Sequence, residues 1–326
     1  MISVARGRTS SPSVSSLFSL GGATGPLIGL LLLCAFLSFA TDSFFTARNL
    51  LNVLDQITVL GIMAVGMTFV ILIGGIDLSV GSILALSMMV MGYLSNELGI
   101  ALPLAIVIAL FASAAAGAVT GLLITEFSVP AFISTLAMMS VARGLANMIT
   151  DGQQIVGFPG WFNLLAIIRH GGFLTVTVGL MLIVFAAGWI FLRNTTGGRC
   201  LYAIGGNQEV ARLAGINVRL STILVYITSA VLSGLAGIVL AARLDSVQPS
   251  SGVSYELDTI AAVVIGGASL SGGTGGIAGT VIGVLVIGVL RNGLNLLGVS
   301  PFTQQVVIGV VIALAVAAEV LKKKKG

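Results

Sequence analysis

The residues in this chain that are able to do chemistry are few, and they do not gather into a catalytic set. The richest glycine run is Gly266-Gly267-Ala268-Ser269-Leu270-Ser271-Gly272-Gly273-Thr274-Gly275-Gly276. It has no lysine to reach a phosphate, so it is not a nucleotide-binding loop. It reads as close backbone approach between helices and a tight turn. The chain is therefore not expected to hydrolyse ATP itself. The single histidine, His170, is not accompanied by a His/Cys/Glu cluster, which argues against a catalytic metal. A lone histidine also leaves no Ser/His/Asp set at motif spacing. No catalytic residue, metal ligand or cofactor is assigned to this chain, and a membrane-embedded enzyme is the least favoured reading.

Ionisable residues in or beside apolar stretches are Asp77, Glu126, Arg143, Glu256, Asp258, Arg291 and Glu319. Such groups are expensive inside a membrane and are usually functional when buried there. An ion-coupled carrier needs several of them at mid-depth. Here the five carboxylates are expected near helix ends, within reach of water, with only Arg143 and Arg291 deeper. That pattern favours a carrier powered from outside itself. The competing reading is an ion-coupled secondary transporter acting alone, and its best coupling group is Asp77, in the glycine-flanked break Gly74-Gly75-Ile76-Asp77.

The segment from Asn207 to Ile216 reads as a short helix. Asn207 suits its N-cap, and Gly215 suits a left-handed end. Val210, Leu213 and Ala214 make one apolar face, and Glu209 and Arg212 lie on another. Two turns of helix are unstable alone in water. The segment must pack either on its own chain or in a groove of a cytoplasmic partner.

The elements that must position these residues follow from composition. Of 326 residues, 57% are hydrophobic and 8% charged, and mean hydropathy is +1.13. Soluble domains carry about 25% charged residues, so most of this surface must face lipid. Long apolar runs without alternation indicate helices and not a barrel. An all-α polytopic fold is expected, with about ten membrane helices at 24–41, 50–73, 78–95, 100–124, 129–149, 173–193, 220–242, 257–268, 277–298 and 302–321. The eighth is too short to cross alone. The formal charge of +4 lacks the basic stripe with interleaved aromatics that nucleic acid needs.

Lysine and arginine set the orientation. With the N-terminus in the cytoplasm, ten basic residues fall inside: Arg6, Arg8, Arg193, Arg199, Arg212, Arg219 and Lys322 to Lys325. Three fall outside, Arg48, Arg169 and Arg243. Both termini are therefore expected in the cytoplasm. The chain divides into a disordered tail (1–23), a permease domain (24–321) with a long cytoplasmic loop at 194–220, and a basic tail (322–326). Cys34 and Cys200 fall too far apart in this topology to pair. Leu78-Ser79-Val80-Gly81 and Leu270-Ser271-Gly272-Gly273 echo each other and hint at duplicated halves.

Several stretches, taken together and in order, resemble permease subunits of ribose-type ATP-binding cassette importers, in the branched-chain amino acid and ribose permease family. They are Ile62-Met63-Ala64-Val65-Gly66-Met67-Thr68, Gly75-Ile76-Asp77-Leu78-Ser79-Val80-Gly81-Ser82, Ala203-Ile204-Gly205-Gly206-Asn207, Ala214-Gly215-Ile216-Asn217-Val218, Tyr255-Glu256-Leu257-Asp258-Thr259-Ile260-Ala261-Ala262-Val263-Val264-Ile265-Gly266-Gly267 and Arg291-Asn292-Gly293-Leu294-Asn295-Leu296-Leu297-Gly298. The resemblance implies a multi-pass chain of the bacterial inner membrane, in contact with lipid and paired with a second permease subunit. It also implies a cytoplasmic ATPase that holds the ATP and magnesium, and a periplasmic or lipid-tethered sugar-binding protein. The cargo it implies is a monosaccharide, ribose first. Residues Asn207, Glu209, Val210, Arg212, Leu213 and Gly215 then look like the coupling helix that docks on the ATPase. Gly75, Asp77, Ser79 and Gly81 are read as a structural or gating motif. Arg243, Asp245 and Glu256, expected outside, are read as the surface for the binding protein.

Overall fold

The structure is a computed structural model and describes residues 24–325. The basic tail and the first 23 residues of the sequence were read as cytoplasmic; residues 1–23 lie outside the described residues. Among the described residues thirteen α-helices follow one another. They are α1 (Thr24–Ala40), α2 (Ala47–Leu72), α3 (Val80–Gly92), α4 (Leu102–Thr125), α5 (Ala131–Met148), α6 (Gly160–Ile167), α7 (Val176–Asn194), α8 (Thr196–Gly206), α9 (Gln208–Leu213), α10 (Val218–Leu244), α11 (Tyr255–Ile265), α12 (Ile277–Leu296) and α13 (Pro301–Lys325). A two-residue antiparallel pair, β1 (Ile155–Val156) with β2 (Ser246–Val247), ties two loops together. The expected helices all appear within a few residues of their expected limits. Five of them, α2, α4, α7, α10 and α12, are long and apolar enough to cross a membrane.

The centre of the bundle is α2 packed on α10. Every residue of α2 from Ile57 to Leu72 is buried, as expected of a helix that is apolar all round. Small residues let the backbones close. A Cβ on Gly66 would lie 2.8 Å from Ser229 Cα, and one on Gly121 of α4 would lie 2.8 Å from Ile223 Cα. Lipid offers no hydrophobic drive between helices, so this intimate packing must hold them.

Two helices are only half-length. α3 has 13 residues and α11 has 11. α3 ends at Gly92, against Val247 and Ile155 of the β pair. At about 1.5 Å per residue, Gly81 at its start sits about 16 Å below that end. α11 ends at the turn 266–276, where Gly273 N donates to Leu72 O at 2.9 Å. By the same rise Glu256 sits about 15 Å above that turn. The two starts touch: a Cβ on Gly81 would lie 2.2 Å from Gly252 O and 2.6 Å from Glu256 Oε2. Together these depths match the roughly 30 Å hydrocarbon core of a bilayer. The half-helices thus meet near its middle and run away in opposite directions.

The order long helix, break, half-helix, long helix occurs twice, as α2–α3–α4 and as α10–α11–α12, with opposite sense. This is the inverted arrangement that broken membrane helices often adopt. The sequence echo at 78–81 and 270–273 pairs different places. Leu78 to Gly81 enters α3 at mid-depth, whereas Leu270 to Gly273 lies in the α11–α12 turn. The structural counterpart of the α3 entry is the stretch before Tyr255.

Candidate functional site

The first break, between α2 and α3, carries Asp77. Sequence reasoning puts this carboxylate near a solvated helix end; the structure buries it, at 1% exposure. The chain turns at Gly74 (φ +77°) and re-enters the bundle, so a residue beyond the end of α2 lies in the interior. Asp77 Oδ1 accepts from Ser79 N at 3.0 Å and Ser79 Oγ at 2.6 Å. Its Oδ2 accepts from Ser229 Oγ on α10 at 2.8 Å. Thr135 Oγ1 of α5 lies 3.2 Å from Ile76 O, sharing its single hydrogen with Ala131 O at 2.9 Å. A Cβ on Gly75 would lie 2.5 Å from Tyr226 Oη. Gly75, Asp77 and Ser79 are therefore one knot, closed on α5 and α10.

The second break precedes α11. Arg143, from α5, donates to Ser251 O at 2.7 Å, to Pro249 O, and to Gly81 O at 3.3 Å. One guanidinium thus stitches both half-helix entries. Glu256 faces the same point from α11. Two residues on, and so on the other side of α11, Asp258 is 5% exposed and accepts from Arg291 Nη2 of α12 at 2.7 Å. This is a further correction, since Asp258 too was expected near water.

At the far end of α2 lies the short helix α9. Asn207 Oδ1 accepts from Val210 N at 3.0 Å, and Gly215 takes φ +85°, as their residue types suggest. The loop 194–220 is more ordered than its sequence suggests. Thr195 caps α8 by accepting from Gly198 N at 3.1 Å. Ala211 is buried with Ile204 and Val218, against Ile73 and Ile216. Among the described residues nothing covers the apolar face of α9: Val210 is 60% exposed and Leu213 84%. Glu209 and Arg212 pair at 3.6 Å on the surface. A Cβ on Gly205 would lie 1.8 Å from Leu72 O. The α8–α9 unit therefore abuts both Leu72 and Ile73, at the root of the first break.

Residues 49–316 match the family described as branched-chain amino acid transport system / permease component. The chain belongs to this family. It is 49% identical over 304 residues to the ribose import permease protein RbsC of Escherichia coli (strain K12), covering 90% of this chain and 92% of the relative. It is 48% identical over 304 residues to RbsC of Bacillus subtilis (strain 168), covering 92% of each. The L-arabinose transport system permease protein AraH of E. coli (strain K12) is 37% identical over 317 residues, covering 91% of each. No solved structure matches the chain. A permease component moves solute and is not an enzyme, and the reading as a carrier acting alone falls with this membership.

In this permease the three residues read as a docking surface do not come together. Arg243 lies in the last turn of α10 and donates to Asp55 O at 3.2 Å. Asp245 ends α10 in a left-handed conformation, φ 52°. Both are exposed at the β-pair end. Glu256 is near mid-depth, because the chain dives from β2 to Gly252 before α11 begins. Sequence reasoning also missed Ser229 and Asp55. Ser229 is 152 positions from Asp77, and no spacing rule links them. Asp55 pairs with Arg169 at 2.5 Å and accepts from Thr175 Oγ1 at 3.1 Å.

Proposed function

We propose that this chain is the membrane-spanning subunit of an ATP-driven importer that brings ribose across the bacterial inner membrane. The carrying observation is near-half identity to ribose import permeases along about nine-tenths of both chains. Ten membrane segments with both termini in the cytoplasm fit the basic bias and the order of the helices. The α8–α9 end then faces the cytoplasm, where the exposed Val210 and Leu213 meet the ATPase. The β-pair end faces outward, where Arg243 and Asp245 stand at the rim for a periplasmic or lipid-tethered binding protein. Two copies, or this chain and a similar one, enclose the path. ATP and magnesium are bound by the partner ATPase. The motion of that ATPase passes through Ala211 to Ile73, and so to the first break.

The test is ribose uptake in a strain without its own ribose importer, supplied with this permease, its ATPase and its binding protein. Uptake is expected to require ATP and all three proteins, and arabinose is expected to compete poorly. Ribose uptake by the permease alone under an ion gradient overturns the proposal. A reporter fused after Gly326 is expected to be active only in the cytoplasm.

A further inference from the structure

We infer that the cavity between α11, α12 and α13 is a transit subsite for an uncharged polyhydroxylated sugar, in which the Asp258–Arg291 pair supplies hydrogen bonds to its hydroxyls. This rests on the reading of the chain as a sugar permease. The cavity measures about 380 Å3; its polar groups come from Asp258, Arg291, Gln304 and Gln305, set in a mainly apolar lining that includes Leu257 and Ile308. Small-ligand pockets begin at about 300 Å3. It opens beside the first turn of α11, the half-helix that starts near mid-depth. Broken helices in transporters place substrate at this depth.

The polar groups are held and only partly used. Arg291 carries five N–H donors, and among the described residues a single bond to Asp258 Oδ2, at 2.7 Å, occupies them. Asp258 Oδ1 accepts from no described side chain. Gln304 is fixed by donating to Asn295 Oδ1 at 2.7 Å and Val299 O at 2.9 Å. Free charged donors and acceptors at this depth cannot face hydrocarbon without heavy cost. They must meet water or a polar passenger. Because the two charges neutralise each other, the site holds no uncompensated charge for an ionic solute. Hydroxyls, which donate and accept, match a fork of donors beside a carboxylate.

The test uses a background with Cys34→Ala and Cys200→Ser, carrying Gly309→Cys. A Cβ at Gly309 meets no atom within 4 Å, so this variant is expected to fold. The permease is assembled in proteoliposomes with its ATPase and binding protein. A hydrophilic thiol reagent is expected to label Cys at this position, and ribose under turnover to slow labelling severalfold. Arg291→Lys keeps the charge but loses the fork, and it is expected to cut ribose uptake severalfold while ATPase docking stays unchanged. Labelling only by a membrane-soluble maleimide means that the cavity faces lipid, and overturns the inference. So does labelling that is indifferent to sugar, with uptake normal in Arg291→Lys. If ribose is not carried but another sugar slows labelling, the choice of ribose fails and the subsite stands.

Discussion

The two breaks in this permease use the same backbone device and spend it differently. At the first, the chain leaves α2, turns and re-enters to start α3, and its one carboxylate is wholly satisfied: Asp77 takes three hydrogen bonds from Ser79 and Ser229. At the second, the chain leaves α10, dives and starts α11, and its charged groups stay partly open, with Arg291 and Asp258 lining a cavity. The first is also tied to α9 through Ile73, whereas the second leads out to Arg243 and Asp245. On the proposed reading of α9 as the coupling element, a closed knot beside it would transmit force, because a fully paired buried group has one low-energy arrangement. An open charged pair beside a cavity can exchange partners with a passenger. On that same reading, position relative to the ATPase, and not backbone form, separates the two breaks.

The largest effect is expected where the breaks touch. In Gly81→Val the new side chain must occupy space held by Gly252 O, and backbone cannot swing aside as a flexible side chain does. Overpacking costs typically about 1–3 kcal/mol, and here the nearest obstacle is the main chain of Gly252, with the Glu256 carboxylate beside it. The variant is expected to give little monodisperse protein in detergent. Gly144→Ala, with open space at its Cβ, is the control and is expected to be silent. If Gly81→Val purifies with an unchanged Tm, the half-helices do not cross as described.

Next comes the first break's connection to α9. Leu213→Asp changes a residue that is 84% exposed, so Tm is expected to hold. Val210 and Leu213 contribute about 1.5–3 kcal/mol each when fully desolvated in a partner groove. The variant is expected to lose co-purification with the ATPase and all ribose uptake. If both persist, the first break is only structural and the contrast between the breaks loses its mechanical half.

The helices were legible because long apolar runs in a membrane have one main solution, and the cap of α9 was legible because Asn207 and Gly215 act locally. The depth of Asp77, Asp258 and Glu256 was not. Hydropathy locates a residue relative to a run's end, and it cannot show that the chain folds back into the bundle after that end. α8 was hidden because Gly197, Gly198, Gly205 and Gly206 read as loop, although Leu201 and Ile204 already mark a helical face. The Asp258–Arg291 pair joined two stretches quoted for the family resemblance, but only the packing of α11 on α12 shows why both belong.

A smaller effect is expected at Asp77. In Asp77→Asn the amide keeps the volume, and the Ser229 hydroxyl can rotate to accept from it. The net loss is about 1 kcal/mol, that of one hydrogen bond. Asp77→Ala instead orphans both serine hydroxyls and is expected to lower Tm further. Uptake is expected to fall in both with the order of sugar preference unchanged. A well-assembled Asp77→Asn permease with altered preference makes the first break a second sugar site and erases the contrast.

The smallest effect is expected at the outer mouth of the second break. Arg243 is exposed, and its bond to Asp55 O is a single surface contact, so Arg243→Glu is expected to leave Tm alone. A rim charge mainly steers encounter, and an exposed pair contributes about 1 kcal/mol or less. The binding protein is therefore expected to dock a few-fold more weakly and more slowly at low salt. The deficit should shrink near 0.15 M ionic strength, where the screening length is about 8 Å. Asp245→Lys is expected to act likewise. Glu256→Gln should leave docking unchanged at every salt concentration, because Glu256 lies about 16 Å below the rim by helix rise and a docked protein does not reach it. It should impair uptake, since it removes the charge that faces Arg143 where the half-helices meet. If Glu256→Gln weakens docking as much as Arg243→Glu does, the second break is not a buried passage but part of the outer surface.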